Sequence, residues 1–247
     1  MILRAAASTH VGLRRRVNED RYALAPDLGL YLVADGMGGH TAGQVASQLA
    51  AEASIRAVET LQGATVSLSE KLRHAVACAN REIFQQARMQ PELQGMGTTL
   101  VCLLASEGRA ALAHVGDSRA YLIRSGRIRQ LTDDHSLVGE LLRRREISED
   151  AAREHPHRHV LTRALGVRQS VEPDLAEISP QVGDLFVMCS DGLTNHMRDA
   201  EIGAAIEGDL QTACDALVDL ANRRGGEDNT TVVVVRFEKE QETPTQV

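Results

Sequence analysis

Between residues 98 and 131 the chain passes through four short apolar segments with almost nothing between them. Residues 98–104, 109–115, 119–124 and 127–131 each read as a strand, and the breaks carry Gly108, Gly116 and the hairpin pair Ser125-Gly126. Strands joined this tightly must run antiparallel, because a parallel neighbour needs a crossover of about a dozen residues or more. A doubly wound parallel sheet is therefore excluded. Further strand-like stretches at 28–34, 171–178, 184–189 and 230–237, with helical patterns at 42–61, 69–88, 198–206 and 210–223, complete an α+β chain. Val45, Leu49, Ala53, Ala57 and Leu61 stripe the first helix, and Leu72, Val76, Ala79, Ile83 and Ala87 the second, with Ser69 as its expected N-cap. The last strand carries Val232-Val233-Val234-Val235, apolar on both faces, and is expected to be covered on both.

Aspartates stand where these apolar runs end: Asp35 before Gly36, Asp117 after Gly116, Asp191 before Gly192, and Asp228 before Asn229. A carboxylate at a strand end is held on a rigid base, and an adjacent glycine lets backbone oxygen approach a ligand. Any one of them is ordinary turn chemistry. Together they suggest an all-oxygen cage for a hard divalent cation. The net charge of −7 and 2% aromatic content argue against a nucleic-acid partner. Cys78, Cys102, Cys189 and Cys214 are widely spaced within apolar segments and read as reduced core residues. No apolar stretch approaches the roughly 20 residues a membrane span needs, so no membrane partner is expected. Met1-Ile2-Leu3-Arg4 opens no secretory signal, and a cytoplasmic protein is expected.

Eight blocks, in order, carry a resemblance. They are Gly12-Leu13-Arg14-Arg15 with Asn18-Glu19-Asp20, Val33-Ala34-Asp35-Gly36-Met37-Gly38-Gly39, Gly97-Thr98-Thr99, Val115-Gly116-Asp117-Ser118-Arg119, Leu131-Thr132-Asp133-Asp134-His135-Ser136, Leu161-Thr162-Arg163-Ala164-Leu165-Gly166, Ser190-Asp191-Gly192-Leu193 and Asp228-Asn229. The chain resembles the metal-dependent serine/threonine protein phosphatases of the 2C class (the PPM family), in their bacterial stand-alone form. The resemblance implies two stacked antiparallel β-sheets flanked by helix pairs, an αββα sandwich spanning 1–237. It also implies a flap at about 137–160, where the sequence is strongly charged. The polar tail at 238–247 is expected to be disordered.

The resemblance further implies two Mn²⁺ or Mg²⁺ ions and a weaker third. Asp35 would bridge the pair, Gly36 would add its carbonyl, and Asp191 and Asp228 would complete the shell. Asp117 would share the third ion with Asp191. Glu19 and Asp20 would orient waters on the metals, with Asn229 beside Asp228 in support. Arg15 would clamp the phosphate, since a guanidinium can hold two phosphate oxygens. Arg14 and Arg16 read as solvated charges. The reaction implied is hydrolysis of phosphoserine and phosphothreonine by direct attack of a water bridging the two metals. Phosphorylated proteins would be the substrates, with a cognate serine/threonine kinase as opponent.

Met37 stands where many relatives carry a histidine acid, leaving His40 or metal-bound water to protonate the leaving group. His155, His157 and His159 alternate, but Pro156 interrupts a regular strand, and the segment reads as solvated rather than metal-binding. Haloacid-dehalogenase chemistry would need an Asp where Met37 stands. A nucleotide cradle fails for want of Gly-x-Gly-x-x-Gly and Gly-Lys-Ser/Thr. The remaining alternative, a catalytically dead binding module, would be marked by a lost metal aspartate.

Overall fold

The computed structural model describes residues 1–38 and 41–239. Its strands are β1 (Ile2–His10), β2 (Asp20–Ala25), β3 (Leu30–Met37), β4 (Gly97–Thr98), β5 (Leu100–Ser106), β6 (Arg109–Val115), β7 (Arg119–Arg124), β8 (Arg127–Gln130), β9 (Asp174–Ile178), β10 (Leu185–Cys189) and β11 (Thr230–Glu238). The helices are α1 (Ala42–Thr60), α2 (Leu68–Met89), α3 (Leu137–Arg143), α4 (Glu149–Arg153), α5 (Asp191–Thr194), α6 (Asp199–Ala205) and α7 (Leu210–Arg223). One sheet runs β1-β11-β10-β7-β8 and the other β2-β3-β5-β6-β9, with β4 beside β3. Every pairing between named strands is antiparallel. The turns at Gly108 and Ser125-Gly126 join paired neighbours as expected, but β6 and β7 belong to different sheets, so the Gly116 turn crosses between the sheets instead of closing a hairpin. The Ser125-Gly126 hairpin forms with both residues at positive φ, matching the strand twist.

Strand alternation divides the core into three layers. On β11, Val232 and Val234 face α7, whereas Val233 and Val235 face the opposite sheet. On β3, Leu30, Leu32 and Ala34 pack under α1 and α2, whereas Tyr31 and Val33 turn to the space between the sheets. The expected αββα sandwich is therefore present, with β11 covered on both faces.

Four local readings change. β1 and β2 had no clear sequence signal; each is the outer strand of its sheet, only partly buried and therefore weakly patterned. Strand β3 continues through Asp35 to Met37 because Gly36 and Met37 pair with Thr98 and Gly97. The N-cap of α2 is Ser67, in a reciprocal capping box with Glu70; Ser69 instead donates to Glu177. The flap between β8 and β9 contains α3 and α4, and Glu238 still pairs with Ile2. Residues 240–247 of the tail and His40 lie outside the described residues.

Phe186 sits between the sheets, fully buried against Phe237 with ring centroids 5.3 Å apart. Phe186→Ala should lower unfolding free energy by about 3–5 kcal/mol, and Ser67→Ala by much less. Urea denaturation followed by circular dichroism measures both.

Candidate metal centre

Asp35 is reached from three directions. Its N–H donates to Thr99 Oγ1 (2.9 Å), and its carbonyl accepts from Thr98 Oγ1 (2.9 Å) and the Thr99 N–H (2.8 Å). Thr99 in turn bonds Ser118 Oγ at 2.7 Å, beside Asp117. Gly36 is buried, and a Cβ there would collide with the carbonyls of Gly43 and Glu19, so only glycine admits this approach. Gly116 has φ +105°, and a Cβ on it would press into Thr99, so the turn that aims Asp117 also requires glycine.

The other sheet supplies Asp191, first residue of α5 after β10, and Asp228, two residues before β11. Asn229 joins the N-terminal loop to this end. Its Nδ2 donates to the carbonyls of Val11 (2.8 Å) and Val17 (3.0 Å), and its Oδ1 accepts from the Glu19 N–H (2.8 Å). That knot brings Arg15 against Asp228, Nη2 to Oδ2 at 2.7 Å. Arg14 and Arg16 form no ion pair among the described residues. Asp20 pairs opposite Asp35 in register, is 1% exposed, and accepts from Ser190 Oγ at 2.7 Å.

Arg15, Glu19, Asp35, Gly36, Asp117, Asp191 and Asp228 thus border one cleft of about 370 Å³. Asp20 and Asn229 stand behind it.

The electrostatics are one-sided. Burial first, then Asp20, Asp191, Asp117 and Asp228, holds the Asp35 carboxyl well above its ordinary range. Asp117 is raised for the same reasons, burial and then Asp191 leading. Burial carries Asp20 up to about 7 against hydrogen bonds from Thr231 and Ser190 that oppose the rise. Asp228 is raised by burial and Asp191, with Arg15 pulling the other way. Oδ1 of Asp20 and Oδ1 of Asp191 are buried without a hydrogen-bond partner. Hard oxygen donors, crowded together and left unsatisfied, fit divalent cations of the Mg²⁺ or Mn²⁺ kind.

Some of the arrangement was not anticipated. Thr98 and Thr99 fix the Asp35 backbone, Ser118 braces Thr99 and Ser190 bonds the Asp20 carboxylate; all four stand in the blocks that carry the resemblance, but no role had been assigned to them. His159 on the flap does not stand wholly in solvent: its Nδ1 is 3.6 Å from Asp191 Oδ2, because the Ser136–Leu161 bridge folds the flap's return limb over the cleft. His196 borders the same cleft.

Comparison with known proteins gives the chain its relatives. Residues 9–230 match the family described as Protein phosphatase 2C. The chain is 41% identical over 240 residues to the serine/threonine phosphatase stp of Listeria monocytogenes, covering 94% of this chain and 95% of that protein. It is 42% identical to the serine/threonine protein phosphatase PstP of Mycobacterium tuberculosis, covering 95% of this chain and 45% of that longer protein. The crystal structure of the M. tuberculosis phosphatase PstP/Ppp superposes with a TM-score of 0.90 at 40% identity, over 97% of this chain and all of the other. A PstP catalytic domain solved with two manganese ions gives 0.86 at 38%, covering 96% of this chain and 99% of that one. On sequence, topology and the convergence of its acidic residues, the chain belongs to the protein phosphatase 2C family.

Proposed function

We propose that this protein is a serine/threonine phosphatase that hydrolyses phosphoserine and phosphothreonine by direct in-line attack of water, with Asp35, Gly36, Asp191 and Asp228 holding two Mn²⁺ or Mg²⁺ ions and Asp117 a weaker third. The observation that carries this reading is the crowding of four aspartates and Arg15 around one cleft, with a buried oxygen of Asp191 unsatisfied. When bound, the cations would lower the proton affinity of a shared water and withdraw charge from the phosphoryl oxygens.

The remaining work falls to the chain. Asp35, its carboxylate given over to holding cations and faced by further carboxylates, would be a poor nucleophile toward a phosphate dianion, which supports attack by water over an aspartyl-phosphate. Arg15 reaches the cleft with about half its side chain in water, so its guanidinium can turn from Asp228 to grip two phosphate oxygens. Asp20 and Glu19, behind Asp35 and Asp191, would orient water, and Asn229 fixes the loop that carries Arg15. The substrates would be phosphorylated proteins, among them a cognate serine/threonine kinase and its targets. No helix is long and apolar enough to cross a membrane among the described residues.

Turnover of a phosphothreonine peptide should require Mn²⁺ or Mg²⁺ and stop in EDTA. Acid-quenched protein should show no acyl phosphate by mass spectrometry, and finding one would overturn the water mechanism.

Arg15→Ala should raise KM for the peptide by about tenfold, the scale of one charge-assisted hydrogen bond, with a smaller fall in kcat. Arg14→Ala and Arg16→Ala should stay near wild type in the same steady-state assay.

The raised carboxyls also set a pH dependence. Asp20 has a folded pKa of about 7, above its ordinary value near 3.8, so between those limits the folded chain binds more protons than the unfolded one. Stability of the cation-free protein should therefore fall as pH rises from about 4 to about 7. Mn²⁺ should raise Tm most at the upper end, where cations replace the lost protons. Thermal unfolding in EDTA at stepped pH tests this, and a Tm rising through the window would contradict it.

A further inference from the structure

His135 is 1% exposed, and the chemistry above makes no use of it. Its backbone N–H donates to the Gly116 carbonyl (2.9 Å), while the Gly116 N–H donates to its Nδ1 (3.1 Å). Gly116 is thus clasped from both sides, one residue before Asp117. The His135 carbonyl accepts from the Thr162 N–H at 2.9 Å, next to the bridge between Ser136 and Leu161. A backbone N–H can only donate, so Nδ1 is an acceptor and the neutral ring carries its proton on Nε2. That nitrogen faces Asp174 Oδ2 at 3.3 Å, and Asp174 Oδ1 is held by Arg163 Nη1 at 2.5 Å. Burial, then the stacked His114 ring 4.5 Å away, pushes the His135 pKa down to about 4, so the ring is neutral near pH 7.

His114, His135 and Asp174 each bring a possible ligand atom within 4.8 Å of the others, which could suggest a second metal site. The bonding pattern argues against it. A cation on His135 Nε2 would shift the ring proton to Nδ1, against the Gly116 N–H. Asp174 is already engaged by the Arg163 guanidinium. The group is a polar relay: Gly116 is hydrogen-bonded to His135, whose Nε2 lies 3.3 Å from the Asp174 carboxylate that Arg163 holds.

We propose that His135 is a positioning residue that couples the aim of Asp117 to the seating of the flap's return limb at 160–163. One side chain and its peptide group hold the turn that presents Asp117. The same residue holds the limb that carries Leu161 into the cleft and follows His159, itself 3.6 Å from Asp191. Displacing the limb therefore pulls on Gly116, and Asp117 follows. The inference rests on Asp117 being a ligand of the weaker third cation.

Two variants separate the halves of the relay. In His135→Asn the side-chain Oδ1 can stand in for Nδ1 and keep the Gly116 bond while losing Asp174. In His135→Gln the amide nitrogen can stand in for Nε2 and keep Asp174 while losing Gly116. Three readouts are compared with wild type and Asp117→Ala: amide hydrogen exchange in EDTA, Mn²⁺ stoichiometry by calorimetry, and the Mn²⁺ concentration giving half-maximal turnover. His135→Gln should speed exchange at Gly116 and raise the half-activating concentration by about tenfold, the scale of one buried hydrogen bond. Two tight ions should still bind. His135→Asn should keep Gly116 protected and stay within about twofold of wild type in metal demand, but speed exchange at Thr162.

Equal loss in both variants, or wild-type behaviour in both while Asp117→Ala is inactive, would overturn the proposal. Wild-type turnover in Asp117→Ala would instead remove the third-cation reading on which it rests. Should neither His135 variant fold, ¹⁵N NMR of the wild-type imidazole still decides. A neutral ring protonated on Nε2 down to about pH 5 is expected, and a proton on Nδ1 would overturn it.

Discussion

The proposed chemistry depends on the contact between two apolar sheet faces. Tyr31, Val33, Val101 and Leu103 on one sheet meet Phe186, Met188, Val233 and Val235 on the other, all of them buried. Asp35 and Asp117 extend from the first sheet, Asp191 and Asp228 from the second. The distance between the two carboxylate sets is therefore fixed by how these side chains interdigitate, since packed sheets hold a spacing of about 10 Å. Close-packed interiors resist compression. A cleft built on such a base keeps its geometry while its own groups repel.

That repulsion is considerable. Asp20, Asp35, Asp117 and Asp228 are all displaced toward protonation, with burial the leading cause in each. Arg15, half exposed and on Asp228, offsets only part of the charge. The chain thus holds, at the end of a well-packed core, a destabilising cluster that divalent cations would relieve. On the proposed reading, stability and activity would be linked through the same carboxylates, and cation binding would strengthen both.

The flap is held differently. Val138 and Ala152 are buried, yet neither belongs to the three core clusters. Much of its attachment is polar: Arg153 donates to the carbonyls of Thr194 and Met197. A segment with few apolar contacts opens at a lower free-energy cost than the core beneath it. Its return limb, however, is tied through Thr162 to His135 and through Leu165 to Thr98, which also bonds Asp35. Hydrogen bonds thus link the flap's return limb to the residues that present Asp117 and Asp35.

Local chemistry was legible in the sequence. The tight turns at Gly108 and Ser125-Gly126 dictated antiparallel pairing, whereas the equally tight Gly116 turn carries the chain from one sheet to the other. The long stripes marked α1 and α2, and the valine run of β11 announced burial on both faces. Resemblance in eight short blocks then supplied the fold family and proposed a set of site residues. What stayed hidden was relational. β1 and β2 are edge strands whose half-exposed alternation is weak, and β1 pairs with β11 at the far end of the chain. Ser67 and Ser69 are alike in sequence, but only Ser67 has a glutamate three residues on, at Glu70, to close the capping box. Asn229 accepts from Glu19 across 210 positions, and Thr99 and His159 reach the cleft, and His135 the Gly116 turn beside it, only once both sheets and the flap are assembled. Turn type and burial follow from near neighbours along the chain, so the sequence determines them. The convergence of carboxylates depends on contacts between distant segments, which only the packed tertiary structure decides.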